Sequence, residues 1–347
     1  MRPLLPALAD LSPAYFAMVM ATGAVSIASQ QQGLHALAGA LLWFNVAAWL
    51  ALCVLNALRA ALHRTRFFAD LGDHLRGPGF FAAVAGTSVL AAQFLIVEPV
   101  DRIAVALAIV ALVLWFLVTY GVFVGLTVKS EKPTLERGIS GTWLLAVVAT
   151  QSLAVLGALL AAHAEPALKL ELDFAALGLW LFGGMLYGWL MTLIFYRYTF
   201  FRLTALDMTP PYWINMGAMA ISTVAGALLV GGAHDAPLVE SILPFVKGVT
   251  VLYWAAATWW LPLLLAFGVW RYVVERFPLR YDPLYWGAVF PIAMYAIGTR
   301  TMADVLSLDF LAVVPPIFLV AAVAAWAVVL VGWLAHVVPR PAARASR

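Results

Sequence analysis

The sequence predicts an all-α polytopic membrane protein of ten transmembrane helices, and three observations predict it. First, 65% of the 347 residues are hydrophobic and only 11% are charged, against about 45–50% apolar and 25% charged in soluble domains. Second, apolar stretches of roughly 20 residues recur along the chain, each long enough to cross about 30 Å of hydrocarbon. Third, the basic residues between those stretches alternate sharply from one side to the other. A single soluble globule is excluded, and residues 1–347 read as one transmembrane domain.

In chain order the spans fall at 13–30, 36–58, 79–97, 102–127, 139–162, 172–199, 212–232, 242–271, 284–303 and 311–336. Arg2 ahead of an apolar run resembles a signal peptide, but the run's length and the nine spans behind it favour an uncleaved first membrane helix. Odd-numbered spans begin near 13, 79, 139, 211 and 284. Four of those starts pair a cap or turn residue with proline: Ser12-Pro13, Gly77-Pro78, Thr209-Pro210 and Asp282-Pro283. Proline at the first helical position is normal start chemistry; the fifth start, Ile139-Ser140, lacks it. The punctuation reads as five helical hairpins in tandem. The lone cysteine, Cys53, sits in a Leu/Ala-rich span as a small hydrophobe and excludes an intramolecular disulfide.

Sixteen of the 20 basic residues fall on both termini and the even-numbered connections, which places the N- and C-termini in the cytoplasm. A missed or invented span would swap sides for everything downstream and destroy that asymmetry. The pI near 9 follows from topology and does not point to nucleic acid.

Odd and even spans differ in material. Ser, Thr, Asn and Gln number 17 in odd spans and 8 in even ones, whereas 11 of the 14 tryptophans lie in even spans. Uncharged polar groups are costly against lipid, and Trp favours the membrane interface, so the odd helices are expected inside and the even ones around them. Helical spacing gives pore-lining candidates: Thr22 and Ser26 in helix 1, Thr87 and Ser88 in helix 3, Thr150 and Gln151 in helix 5, Asn215 and Ser222 in helix 7. The alternative for each is a hydroxyl or amide bonded to its own or a neighbouring helix. An inner ring of odd helices also points five positive N-terminal dipole ends at the cytoplasmic mouth, which favours anions there.

No HExxH, GxSxG or GKS/T stretch occurs, and mid-span Asp, Glu and His are missing. An enzyme, a haem or metal centre and a carboxylate proton relay are therefore not expected, and no cofactor is implied. Passive conduction is favoured over pumping.

Three segments resemble a known family. Helix 9 runs from Tyr285-Trp286 through Phe290-Pro291 to Ala296 and Thr299; helix 1 carries Pro13, Tyr15-Phe16, Met18-Val19 and Thr22-Gly23; helix 5 runs from Gly141-Thr142-Trp143 to Thr150-Gln151-Ser152. These are similar to the tellurite-resistance/dicarboxylate transporter family, which includes bacterial TehA, fungal malate permeases and plant guard-cell slow anion channels. The resemblance implies five hairpins in quasi-fivefold order around a central pore, a plug at Phe290, and a homotrimer in the bacterial inner membrane. It also implies small inorganic anions or dicarboxylates as cargo. Helix 5 departs from the family in starting with Trp143-Leu144-Leu145 where a proline is common.

The residues themselves support a gate at that place, because Pro291 removes a helix hydrogen bond beside a large ring that can close a pore by dewetting. Counting about 100° per residue, Met294 lies about 40° and Thr301 about 20° from Phe290, so both share its face. Arg300 lies off that face. It is expected either as an outer-mouth charge or in a surface pair with Asp304. The leading reading is an anion channel or uniporter; the alternatives are a proton-coupled dicarboxylate or tellurite carrier and, remotely, a membrane-embedded enzyme.

Overall fold

The computed structural model describes residues 8–337, and every long element among them is helical. Arg2, Arg340, Arg344 and Arg347, used in the charge count, lie outside the described residues. Ten helices of 15 to 35 residues follow one another: α1 (Ala17–Gln31), α2 (His35–Leu62), α3 (Phe81–Ile96), α4 (Asp101–Val128), α5 (Leu145–Ala161), α6 (Pro166–Phe200), α7 (Ile214–Gly231), α8 (Leu243–Val269), α9 (Trp286–Leu306) and α10 (Val314–Val337). Short helices at Arg64–Leu71, Leu135–Gly138 and Pro237–Ser241 lie in the connections and have no counterpart in the expected spans.

Eight of these segments are long and apolar enough to cross a membrane, and α1 and α9 are not among them. The ten expected spans thus reduce to eight by length and hydropathy. The physical reason lies in burial: Ala17 through Ser29 are all buried inside the protein, and α9 is buried from Val289 to Thr299 except Ile292. Apolarity is demanded of surfaces that face hydrocarbon, so helices sheathed in protein tolerate polar C-terminal turns, Gln30-Gln31 on α1 and Arg300 with Asp304 on α9. α6 starts six residues earlier than expected because Pro166 opens it and Lys169 pairs with Asp173 at 2.9 Å in the added turns.

Each odd helix is entered through a single 3-10 turn: Pro13–Phe16, Gly77–Phe80, Gly141–Leu144, Pro210–Trp213 and Pro283–Tyr285. The side chains of Ser12 and Asp282 accept the N–H of Ala14 and Leu284, as N-caps do. The start without proline has a steric reason. A Cβ on Gly141 would lie 2.6 Å from the Pro211 carbonyl oxygen and 2.7 Å from the Tyr212 Cα, so the neighbouring turn needs glycine there.

The packing has two layers. α1 packs on α3, α3 on α5, α5 on α7, α7 on α9, and α9 returns to α1; the five entry turns repeat the same closed cycle. Every even helix packs against the odd helix before it and the odd helix after it, with α10 lying between α9 and α1. In their most apolar stretches the α3, α5 and α7 segments are 78–89% buried, and the five even helices only 17–39%. The odd helices form the core and the even helices carry the apolar exterior.

One hydrogen bond recurs in every unit of this arrangement. The indole N–H of an even-helix tryptophan donates to the next odd helix: Trp49 to the Thr87 hydroxyl (2.9 Å), Trp115 to Thr150 (3.0 Å), Trp254 to Thr299 (2.9 Å) and Trp326 to Thr22 (2.9 Å). In the remaining unit Trp180 donates to the Ser222 carbonyl at 2.9 Å. These tryptophans are fasteners between the layers as well as surface aromatics.

Candidate functional site

A narrow cavity of about 50 Å³ runs between the C-terminal halves of the five odd helices. Each helix contributes to its wall: Ile27 and Gln31 from α1, Ser88 and Ala92 from α3, Ser152 and Val155 from α5, Ile221 and Val224 from α7, Met294 and Thr301 from α9. No charged side chain lines it. Such a volume holds a few waters, since one needs roughly 10–15 Å³ by the same measure.

The polar groups in that wall are few and tied. Ser88 and Ser152 donate to the carbonyls of Val84 (3.0 Å) and Val148 (2.6 Å) one turn back, which turns their oxygen lone pairs outward from the bond. Gln31 reaches Thr301 across the cavity wall, Nε2 donating to the hydroxyl at 3.2 Å, and Thr301 donates to Ile297 at 2.9 Å. α1 and α9 are thereby latched at this end.

Met294, Ser88, Ser152 and Ile221 stand at the inner limit of the lining. One helical turn beyond Met294 on α9 comes Phe290, which is fully buried in the core. Pro291 follows it inside the helix, and the ring of Pro291 fits against Gly217 of α7 so closely that a Cβ on Gly217 would stand 2.7 Å from its Cγ. The chain on either side of the phenylalanine is held by that glycine–proline approach.

The sequence candidates divide into two sets. Ser88, Met294 and Thr301 line the cavity; the other seven small polar candidates bond to the outer helices or their own. Thr22, Thr87 and Thr150 accept the indole N–H groups already described, and Ser26 donates to the Ala38 carbonyl of α2 at 2.8 Å. Gln151 donates to the Trp180 carbonyl of α6 at 3.0 Å, and Asn215 donates to the Tyr198 hydroxyl of α6 at 2.9 Å. Ser222 donates to Ala218 at 2.7 Å. Arg300 is exposed and pairs with Asp304 at 2.8 Å, the second of the two placements expected for it.

Of the cavity residues, Gln31 has no signal in the sequence, and Ser152 is marked there only as a member of the helix-5 polar cluster. Ser152 stands in the Thr150-Gln151-Ser152 cluster, where helical spacing alone cannot tell an inward from an outward side chain. A further buried polar pair, Asn45 donating to Gln93 at 2.7 Å, joins α2 to α3 beside Gly23, whose Cβ would meet Val89 at 2.4 Å. It fixes α1, α2 and α3 together at mid-length.

Comparison with known proteins gives this arrangement a family. Residues 10–334 match the voltage-dependent anion channel family model. An uncharacterized membrane protein of Mycobacterium tuberculosis, found in two strains, is 37% identical over 145 residues, which is 42% of this chain and 73% of that protein. An uncharacterized transporter of Methanocaldococcus jannaschii is 24% identical over 302 residues, covering 83% of this chain and 82% of that one. With a family match that takes in all five entry turns and all but the last residues of α10, the chain belongs to the voltage-dependent anion channel family.

Proposed function

We propose that this protein carries small anions passively across the membrane along the axis of its odd-helix ring, as a channel or uniporter closed at Phe290. The observation that carries the reading is the cavity enclosed by the five odd helices, ending at Met294 one turn from that buried ring. Its apolar wall and small volume suit a path held shut by dewetting, and its few waters' worth of space suits a compact inorganic anion better than a dicarboxylate. The five entry turns gather five helix N-termini at the other end, where the positive ends of the dipoles attract anions.

On this reading all ten long helices span the membrane as five hairpins in quasi-fivefold order, with both termini in the cytoplasm of a bacterial cell and the ring axis normal to its inner membrane. Because one chain encloses its own path, the homotrimer implied by resemblance is an assembly of three separate pathways. Recording in planar bilayers tests the proposal. Ohmic currents carried by chloride or nitrate through the purified protein support it, whereas electroneutral, saturable, pH-driven dicarboxylate flux without current replaces it with a carrier.

A further inference from the structure

Three even helices end in a buried arginine placed three residues before the last turn closes: Arg59 on α2, Arg197 on α6 and Arg271 in the π turn Trp270–Val274 that extends α8. They are 1%, 2% and 6% exposed. Removing a guanidinium from water is costly unless an anion and hydrogen-bond acceptors replace the hydration. Two of the three have both. Arg59 pairs with Asp70 and donates to the Ala9 carbonyl at 3.1 Å. Arg197 pairs with Asp207 at 3.4 Å and donates to the carbonyls of Glu136 and Arg202, each at 3.0 Å.

Arg271 has neither. Its Nε and Nη1 are buried without a hydrogen-bond partner, and no carboxylate of the described residues pairs with it. The nearest acids in sequence, Glu275 and Asp282, are exposed, and Asp282 caps Leu284 instead. Only aromatic faces attend the guanidinium: its Cζ lies 4.2 Å from the Phe277 ring centroid and 5.3 Å from that of Tyr272. The arginine lines a cavity of about 80 Å³ between the entry turns of α7 and α9, and no acidic side chain shares that wall. Thr209, Tyr212, Tyr272 and Tyr285 are among its lining residues, and the hydroxyls of Tyr272 and Tyr285 are linked to each other at 2.8 Å.

We infer that the Arg271 cavity is a binding site for a phosphate-type oxyanion, which supplies the counter-charge that Asp70 and Asp207 supply to the sister arginines. A buried guanidinium with unspent N–H groups and no carboxylate in the wall of its cavity suits an oxyanion with several acceptor oxygens. The site lies at the entry-turn end of the bundle, where a free phosphate or the phosphate of an anionic lipid headgroup can reach it. It is separate from the odd-helix cavity and does not rest on the transport reading.

The test is binding, on the purified full chain. Inorganic phosphate is titrated against the delipidated protein with melting temperature as readout, and native mass spectrometry scores retention of phosphatidylglycerol over phosphatidylcholine from mixed nanodiscs. Saturable stabilisation by phosphate without lipid preference identifies a free oxyanion; selective phosphatidylglycerol retention identifies a headgroup. Arg271→Gln should weaken whichever binding is seen by about tenfold or more, as expected for losing charge-assisted hydrogen bonds.

Because that variant risks misfolding, a second one adds the missing carboxylate. Gly268 lines the same cavity one turn before Arg271, and a Cβ there meets nothing within 4 Å. Gly268→Asp should abolish the binding while leaving the protein at least as stable as wild type, and Gly268→Asn should retain the binding. Wild-type protein that responds to neither probe, or Gly268→Asp protein that binds as wild type does, overturns the site.

Discussion

Trp326 on the last helix donates its indole N–H to the Thr22 hydroxyl on the first at 2.9 Å, and so closes a cycle of indole bonds that runs through all five hairpins. The closure ties residues 304 positions apart and joins the outer layer to the inner one. Thr22→Val keeps the volume and deletes the acceptor. An indole N–H left unpaired costs about 1–3 kcal/mol. Thr22→Val is therefore expected to lower the unfolding midpoint while anion flux per folded molecule stays at the wild-type level, and Thr22→Ser should restore the midpoint. A change in flux without a change in stability would count against the fastening role.

The two hydroxyls that neighbour each other on α3 separate the layers further. Thr87 faces Trp49 and Ser88 faces the cavity, and on α5 Thr150 and Ser152 repeat the division. Ser88→Val and Ser152→Val are expected to reduce anion flux several-fold, because they narrow and dry a cavity with room for a few waters. Thr87→Val and Thr150→Val should instead destabilise. Liposome flux and thermal unfolding measured on all four variants check the contrast.

Gly141 and Pro211 test the ring of entry turns. Alanine at 141 would drive its Cβ to 2.6 Å from a backbone carbonyl, which cannot swing aside as a side chain can. Overpacking of this kind costs about 1–3 kcal/mol. Gly39 on α2 has nothing within 4 Å of its would-be Cβ, so Gly39→Ala should gain up to about 1 kcal/mol from helix propensity alone. Unfolding midpoints of the two variants should therefore move in opposite directions.

Asp207 gives the entry-turn face a pH dependence. Burial pushes its carboxyl pKa up, but hydrogen bonds from the Thr204 hydroxyl and N–H, together with Arg197, outweigh burial and hold it below the ordinary carboxylate value. A depressed acid favours the folded state fully above its unfolded pKa of about 3.9 and loses that contribution as pH falls through the folded-state value. The pair is partly exposed on the Asp207 side, so the contribution is no more than about 1 kcal/mol. The stability gap between wild type and Asp207→Asn should be constant from pH 7 down to about 4 and shrink below it. A gap that persists unchanged into stronger acid removes the carboxylate from the account.

The layering of odd against even helices could be read from the sequence because it is a matter of composition: a helix that faces lipid must be apolar on that side, and a sheathed one need not be. Which side of an odd helix faces the axis could not. α1, α3, α5 and α7 are buried on nearly every face, so no polar stripe marks an interior direction, and adjacent residues such as Thr87 and Ser88 serve different layers. The tryptophan count pointed to the outer layer, but interfacial preference was only part of the cause; five of the indoles reach inward. A signal was available in the recurrence of at least one Trp in every even span and at least one Thr in every odd span. Arg271 escaped notice for a different reason, since a basic residue at a helix end looks the same in sequence whether or not a carboxylate folds back to meet it.

Phe290 carries the decisive prediction for transport. Its ring is fully buried one turn from Met294, and Pro291 behind it is pressed against Gly217, so the α9 backbone cannot easily shift to fill space if the ring is removed. Were Phe290 only a packed core residue, truncation to alanine would cost about 3–5 kcal/mol on the soluble-core scale and open nothing. As a gate it behaves differently: the barrier is a dry constriction, water fills the space the ring leaves, and filling limits the loss of stability. Phe290→Ala is expected to raise basal anion conductance by a large factor with a modest fall in melting temperature, and Phe290→Leu, which keeps an apolar side chain, should conduct less than alanine. A folded Phe290→Ala protein whose conductance in planar bilayers equals that of wild type would remove the gate from Phe290 and place the closure elsewhere along the ring axis.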